Sequence, residues 1–374
     1  MMKKTILLLL SVIFLFCCGY KTQEIKNQDE EDSVTLVMVG DMLMHMPVNR
    51  SGFKSDGDID FSHLFTYTEK RISDADIAIV NQEVILGGSE LGISGYPMFN
   101  TYYEVGDALA GAGFDVVLHA TNHAMDRGKD GLMNCITYWE DNYPDVAYLG
   151  IQDTQEEQDT IYVVEKNGIK ISILNYTYGL NGLPLPNGMP YAVNLMDKEK
   201  MAKDIAKAKE ESDFVVVCPH WGTEYVLKAS SYQKDYAQFF LENGVDLVIG
   251  THPHVIEPVE MLTDETGNEM LVYYSLGNYV NSTASEEKDI GKRMLGAMAE
   301  VTINRTENGD VVIDSYDAHP LVTYVSANKK NISVFPMEMF NDELAKRSFT
   351  VKLDTNFSKN YLEEIWNSVI GDLH

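Results

Sequence analysis

Several short apolar runs in this chain are each followed closely by side chains that bind metals or carry protons. Asp41 comes after residues 34–39 (VTLVMV) and Gly40, and Glu83 comes after residues 77–80 (IAIV) and the polar pair Asn81-Gln82. Asn122-His123 follows residues 116–118 (VVL), His220 follows residues 214–218 (FVVVC), and His252-Pro253-His254 follows residues 247–249 (LVI). A single such residue is more often a helix cap or a satisfied turn group than a ligand. Five successive strand ends carrying Asp, Glu, Asn-His, His and His-x-His are much harder to dismiss, because ligands of open α/β sheets gather beyond the carboxyl ends of strands.

The donor types suit divalent cations. Asp41 and Glu83 offer carboxylates for hard or borderline ions, and a carboxylate can bridge two of them. The Asn122 amide oxygen can ligate while the adjacent His123 imidazole serves as proton donor near neutral pH. On an extended backbone His252 and His254 would point the same way, with Pro253 stiffening the segment. Mixed ligation of this kind fits a two-metal hydrolytic centre with ions roughly 3.5–4 Å apart, which activates water and neutralises a developing oxyanion. Manganese, iron and zinc all fit, and the ligand set does not choose among them.

The elements that must position these groups read as a layered α/β fold. Apolar runs without polar alternation, including residues 271–274 (LVYY), are what strands buried on both faces look like. Residues 103–113, 128–142, 197–211 and 232–243 have helical patterning, and the Lys- and Glu-rich face of 197–211 reads as solvated. Residues 294–304 and 311–316, joined by the turn-like Glu307-Asn308-Gly309-Asp310, predict an antiparallel hairpin, and residues 360–369 predict an amphipathic helix. No fixed-period repeat or Pro/Ser-rich linker divides the chain, so residues 34–374 are expected to form one domain, with a motif core over 34–281 and a C-terminal hairpin and helix over 291–372.

At 374 residues, 45% hydrophobic and 10% aromatic, the chain can bury a substantial core. Its first residues are set apart. Met1-Met2-Lys3-Lys4 is basic, and residues 5–16 are almost wholly apolar up to Cys17-Cys18-Gly19. That layout is a secretory signal, too short to span a bilayer comfortably, and Leu15-Phe16-Cys17-Cys18 resembles a bacterial lipobox. Residues 1–18 are therefore expected to be a lipoprotein signal peptide with Cys18 the lipid anchor; Cys17 and an uncleaved anchor are the alternatives. Residues 19–33 read as a flexible tether, which places the domain at the outer face of the cytoplasmic membrane. The two remaining cysteines, Cys135 and Cys218, read as buried thiols, and no CxxC pair is present. Asp and Glu total 57 against 29 Lys and Arg, for a net charge of −28. Such a field attracts cations and repels nucleic acid. Neither a P-loop nor a GxSxG elbow occurs.

Taken in order, Gly40-Asp41, Asn81-Gln82-Glu83, the loop Tyr96-Pro97-Met98-Phe99-Asn100, Thr121-Asn122-His123, His220-Trp221-Gly222, Gly250-Thr251-His252-Pro253-His254 and Ser275-Leu276-Gly277-Asn278 resemble the CapA (PgsA) family of bacterial capsule and poly-γ-glutamate proteins. The domain of that family resembles the calcineurin-like metallophosphoesterases, which implies a sandwich of two mixed β-sheets flanked by helices. By that resemblance Asp41, Glu83 and His254 would hold one metal, Glu83 would bridge, Asn122, His220 and His252 would complete the second, and His123 would be the general acid. The motifs also depart from the phosphoesterase pattern. Asp41 is followed by Met42-Leu43 instead of x-His, which makes His45 a candidate additional ligand, and Asn81-x-Glu83 stands where a second Asp motif is usual. Two functions are implied: a metal-dependent hydrolase of an envelope polymer or phosphorylated precursor, or a non-catalytic lipoprotein working with membrane synthase or export partners.

Overall fold

Val, Ile and Leu dominate the strands because branched side chains pack well on a pleated surface, and burial on both faces removes any need for polar alternation. The computed structural model describes residues 33–282 and 289–373. The expected signal peptide, Cys18 and the tether up to residue 32 lie outside the described residues. In chain order the strands are β1 (Ser33–Met42), β2 (Ile77–Asn81), β3 (Val116–Leu118), β4 (Ala147–Leu149), β5 (Val163–Lys166), β6 (Ile169–Thr177), β7 (Phe214–His220), β8 (Leu247–Ile249), β9 (Val259–Thr263), β10 (Glu269–Tyr273), β11 (Asn278–Val280), β12 (Leu295–Arg305), β13 (Val311–Val325) and β14 (Ile332–Pro336).

They form two mixed sheets, as the resemblance implied. One has the order β14-β13-β12-β1-β2-β3-β4, with β11 also beside β1; the other has the order β5-β6-β7-β8-β10-β9. Strands β1 to β4 run parallel, as do β6, β7, β8 and β10, whereas β12 to β14 and the edge strands β5 and β9 pair antiparallel. Alternate residues of β7 serve two cores. Phe214, Val216 and Cys218 face the first sheet, and Cys218 Sγ lies 3.8 Å from Met38 Sδ on β1. Val215 and Val217 face Met201, Ile205 and Ala208 of the helix Lys198–Glu211. Each fully buried side chain of this size stabilises the fold by about 1.5–3 kcal/mol.

That helix buries positions spaced by four and three residues and leaves its Lys- and Glu-rich face in solvent; the Asp197 carboxylate caps it by accepting from Lys200 N at 2.9 Å. The predicted hairpin is present and longer than expected. Strand β13 continues to Val325 and β14 adds a third strand, so the C-terminal segment widens the sheet of β1. Strand β1 begins at Ser33, the last residue assigned to the tether, because Ser33 pairs with Asn304. Cys135 and Cys218 are buried free thiols.

At Gly40 strand β1 changes partner. Ser33 to Val39 pair with β12, then Asp41 pairs with Asn278 of β11 and its N–H donates to Gly277 O at 2.9 Å. A Cβ at Gly40 would lie 1.9 Å from Gly277 O, so no larger residue fits while the backbones keep this approach. The exchange turns Asp41 to the rim where the parallel strands of both sheets end.

Candidate metal centre

The six predicted ligands, Asp41, Glu83, Asn122, His220, His252 and His254, meet at that rim and are all buried. Glu83 Oε1 is the hub, lying 3.6 Å from His254 Nε2, 3.8 Å from His220 Nε2 and 4.0 Å from His123 Nε2. Those separations are too long for hydrogen bonds. They match the roughly 3–4 Å that separates two donor atoms each about 2.1 Å from one ion. Glu83, His252 and His254 place ligand atoms within 4.8 Å of one another. Both Glu83 carboxylate oxygens and His252 Nδ1 are buried without a hydrogen-bond partner among the described residues. A carboxylate held in this state is costly unless a cation completes it, so the donor set fits a divalent metal.

Surrounding groups hold the ligands. Asn81 Nδ2 donates to Asp41 Oδ1 at 2.8 Å, and His252 N donates to Asp41 Oδ2 at 3.3 Å. His254 Nδ1 lies 3.0 Å from Asn278 Oδ1 and 3.3 Å from Asp41 Oδ2, which directs its Nε2 toward Glu83. His220 Nδ1 lies 3.0 Å from Thr251 Oγ1, while its Nε2 is 2.9 Å from Asn122 Oδ1. His252 and His254 have φ of 99° and 57°. The extended geometry expected for His-Pro-His is therefore wrong: both histidines occupy left-handed backbone, and this bend, not strand alternation, turns their rings into one site 5.9 Å apart. Each such residue costs of order 1–3 kcal/mol, which surrounding contacts must offset.

Burial drives the electrostatics. It holds His220 and His252 well below the usual histidine range, and the positive charge of neighbouring His254 pushes the same way, which favours the neutral rings that ligate metal. Burial also raises Glu83 well above the carboxylate range. For His254 burial acts downward, but the Glu83 and Asp41 carboxylates overcome it and raise the imidazole to about 10. Without a cation, the Glu83–His254 pair therefore retains proton charge that a metal would displace.

His123 lies at the mouth. Its Nδ1 donates to Asp126 Oδ2 at 2.7 Å, which leaves Nε2 facing Glu83. The same Asp126 oxygen accepts from Phe99 N at 2.6 Å, and the Phe99 ring packs edge-on against both His123 and His45. His45 packs against Phe99 and lines the same cleft as His123 and His254. Burial, reinforced by the neighbouring positive charge of His254 and Arg293, depresses its pKa to about 3. The cleft in front has a volume of about 890 Å³ and is lined by His45, Tyr96, Phe99, Asn122, His123, Tyr225, His254 and Arg293 among others.

Several participants escape the sequence reading. Asp126 stands three residues after His123, a spacing that could have suggested a partner. Asn278 belongs to a noted motif but was given no role. Strand β6 was not anticipated, and it delivers a sixth strand end: Tyr178, whose ring lies 4.6 Å from His252, and Asn181, which accepts from Asn122 Nδ2 at 3.3 Å.

Comparison with known proteins bears on this centre. A family model described as bacterial capsule synthesis protein PGA_cap matches residues 35–283. The capsule biosynthesis protein CapA of Bacillus anthracis is 27% identical over 296 residues, which is 76% of this chain and 67% of that protein. The PGA biosynthesis protein CapA of Bacillus subtilis (strain 168) is 27% identical over 278 residues, 74% of this chain and 70% of that protein. Among solved structures, the NAD nucleotidase NadN of Haemophilus influenzae aligns with a TM-score of 0.49 at 10% identity, over 90% of this chain and 63% of its own.

Proposed function

The chain belongs to the bacterial capsule synthesis protein family, and from that premise we propose that it is a metal-dependent hydrolase of a capsule-type envelope polymer or its phosphorylated precursor. The observation that carries this reading is Glu83, a buried carboxylate with both oxygens unpartnered at the meeting point of three histidines. Asp41, Glu83 and His254 would hold one ion, with Glu83 bridging to a second held by Asn122, His220 and His252. Bound metal would polarise the scissile group and activate water. His123, oriented through Nδ1 by Asp126, presents Nε2 as the proton donor to a leaving group. Phe99 packs over that imidazole and shields it from bulk water. Export and a lipid on Cys18 would put this chemistry at the outer face of the membrane, beside the synthase or export machinery. Residues 1–18 support that placement by their composition; among the described residues no helix is long and apolar enough to cross a membrane.

The test is elemental analysis and turnover of the purified protein after loading with manganese, iron or zinc, across phosphoester and γ-glutamyl substrates. Stoichiometric metal is expected. His123→Ala should keep the metal and lose about 10²–10⁴ in kcat. A protein that takes up no metal would remove the centre. Metal uptake without turnover, with His123→Ala still supporting capsule formation, would leave a non-catalytic role.

A further inference from the structure

An anionic substrate meets an electrostatic obstacle here. The chain carries a net charge of −28, and Asp41, Glu83, Asp126 and Glu224 lie in or around the cleft. A carboxylate or phosphate entering it needs a fixed positive partner in addition to metal. The short 3₁₀ turn Ile290–Met294 brings one, because Arg293 lines the cleft together with His123 and His254.

Arg293 is held as a flat, oriented group. Its guanidinium carbon lies 3.4 Å from the centroid of the Tyr225 ring, and that ring is near-parallel to His254 at 5.9 Å. Tyr225 has φ of 65°, a strained setting for a residue with a Cβ. Two contacts keep it there: its N–H donates to Pro253 O at 2.7 Å, and Lys292 Nζ donates to its carbonyl at 2.8 Å. Asn278 ties the same turn to the metal centre, since Nδ2 donates to Arg293 O at 2.9 Å while Oδ1 meets His254 Nδ1. Arg293 and His254 are thus registered to each other through one side chain.

We propose that Arg293, stacked on Tyr225, is the subsite that grips an oxyanion of the substrate beside the metal centre. This rests on the reading that the cleft takes an anionic envelope substrate. A guanidinium carries five N–H donors in a fixed fork, so it can keep a protein contact and still present a pair to a carboxylate or phosphate. Tyr225 is the positioning residue, setting the plane of that fork.

Calorimetric binding of orthophosphate and of glutarate to the metal-loaded protein tests this, with metal stoichiometry measured on the same samples. The two probes distinguish a phosphoryl from a carboxylate source. At least one should bind, and Arg293→Met should weaken it about ten- to a hundredfold with metal content unchanged. Arg293→Lys should fall between, because an ammonium cannot form the paired contact, and Tyr225→Leu should weaken binding several-fold with the charge intact. If Arg293→Met loses metal, Arg293→Lys carries the comparison. Equal affinity in wild type and the Arg293 variants overturns the subsite, as does a wild type that binds metal but neither anion. A wild type that binds no metal fails the underlying reading instead.

Discussion

Glu83→Gln separates the stability of this fold from its function. In the metal-free protein Glu83 buries two oxygens that find no hydrogen-bond partner. An unpaired buried polar atom costs about 1–3 kcal/mol, and more when the group is charged. Burial raises the Glu83 carboxyl well above its unfolded range, so at neutral pH wild type must take up a proton to fold, a cost that glutamine, neutral in both states, avoids; in chelator the variant should be more stable by about 1–3 kcal/mol. A domain of this length has an unfolding entropy of roughly 0.7 kcal mol⁻¹ K⁻¹, at about 2.1 cal mol⁻¹ K⁻¹ per residue, and the melting temperature should rise by about 1–4 °C. Metal reverses the order. At a free concentration of about 100 Kd the wild type gains about 2.7 kcal/mol, or roughly 4 °C, whereas the variant offers only a neutral amide oxygen where three histidines converge, cannot bridge as a carboxylate does, and gains much less. Paired thermal scans with chelator and with metal make the measurement. A variant that melts below wild type in chelator, or that gains as much from metal as wild type does, would refute the reasoning.

Two further outcomes follow from backbone and burial. His252→Gly and His252→Ala both lose a ligand, but at φ of 99° glycine relieves strain that alanine keeps; in chelator the glycine variant should be more stable by about 1 kcal/mol, read from urea midpoints. Glu257 is buried and its carboxyl is raised to about 8, with only Gln233 acting in the other direction. Its folded pKa exceeds the unfolded value, so its contribution is full below about pH 4.5 and is lost as pH rises through 8. Glu257→Gln should therefore gain on wild type across that window by a few kcal/mol in denaturant titrations, and a pH-independent difference would contradict it.

Most of the side chains that cluster at the rim could be read from the sequence because parallel strands leave a strong signature: an apolar run that stops at a residue too polar for a core. Asp41, Glu83 and His220 sit directly on that signature. What the sequence obscured depends on geometry without such a pattern. The turn of His252 and His254 is left-handed, so the two rings converge, but not through the alternation that their spacing by two suggested. Strand β6 mixes Ser172, Asn175 and Thr177 with its apolar residues, which conceals the strand end supplying Tyr178 and Asn181. His45 stands close to Asp41 in sequence, and its ring packs on Phe99 in the cleft that also holds His123 and His254. Arg293 comes from a turn far down the chain with no motif of its own.

Strand β1 lies in the middle of its sheet, and its partner β12 is made some 270 residues later, with Ser33 against Asn304. Until the chain has been synthesised past Arg305 the central strand lacks one neighbour, and Asp41 lacks the Gly277 carbonyl that fixes it until β11 has also emerged. Closing a loop of that length is slow and entropically expensive, so the domain completes itself late in the life of the nascent chain. Under the proposed export, a chain threaded through a membrane before it folds would gain from that delay. The candidate metal site would then come together only after the last pieces had arrived.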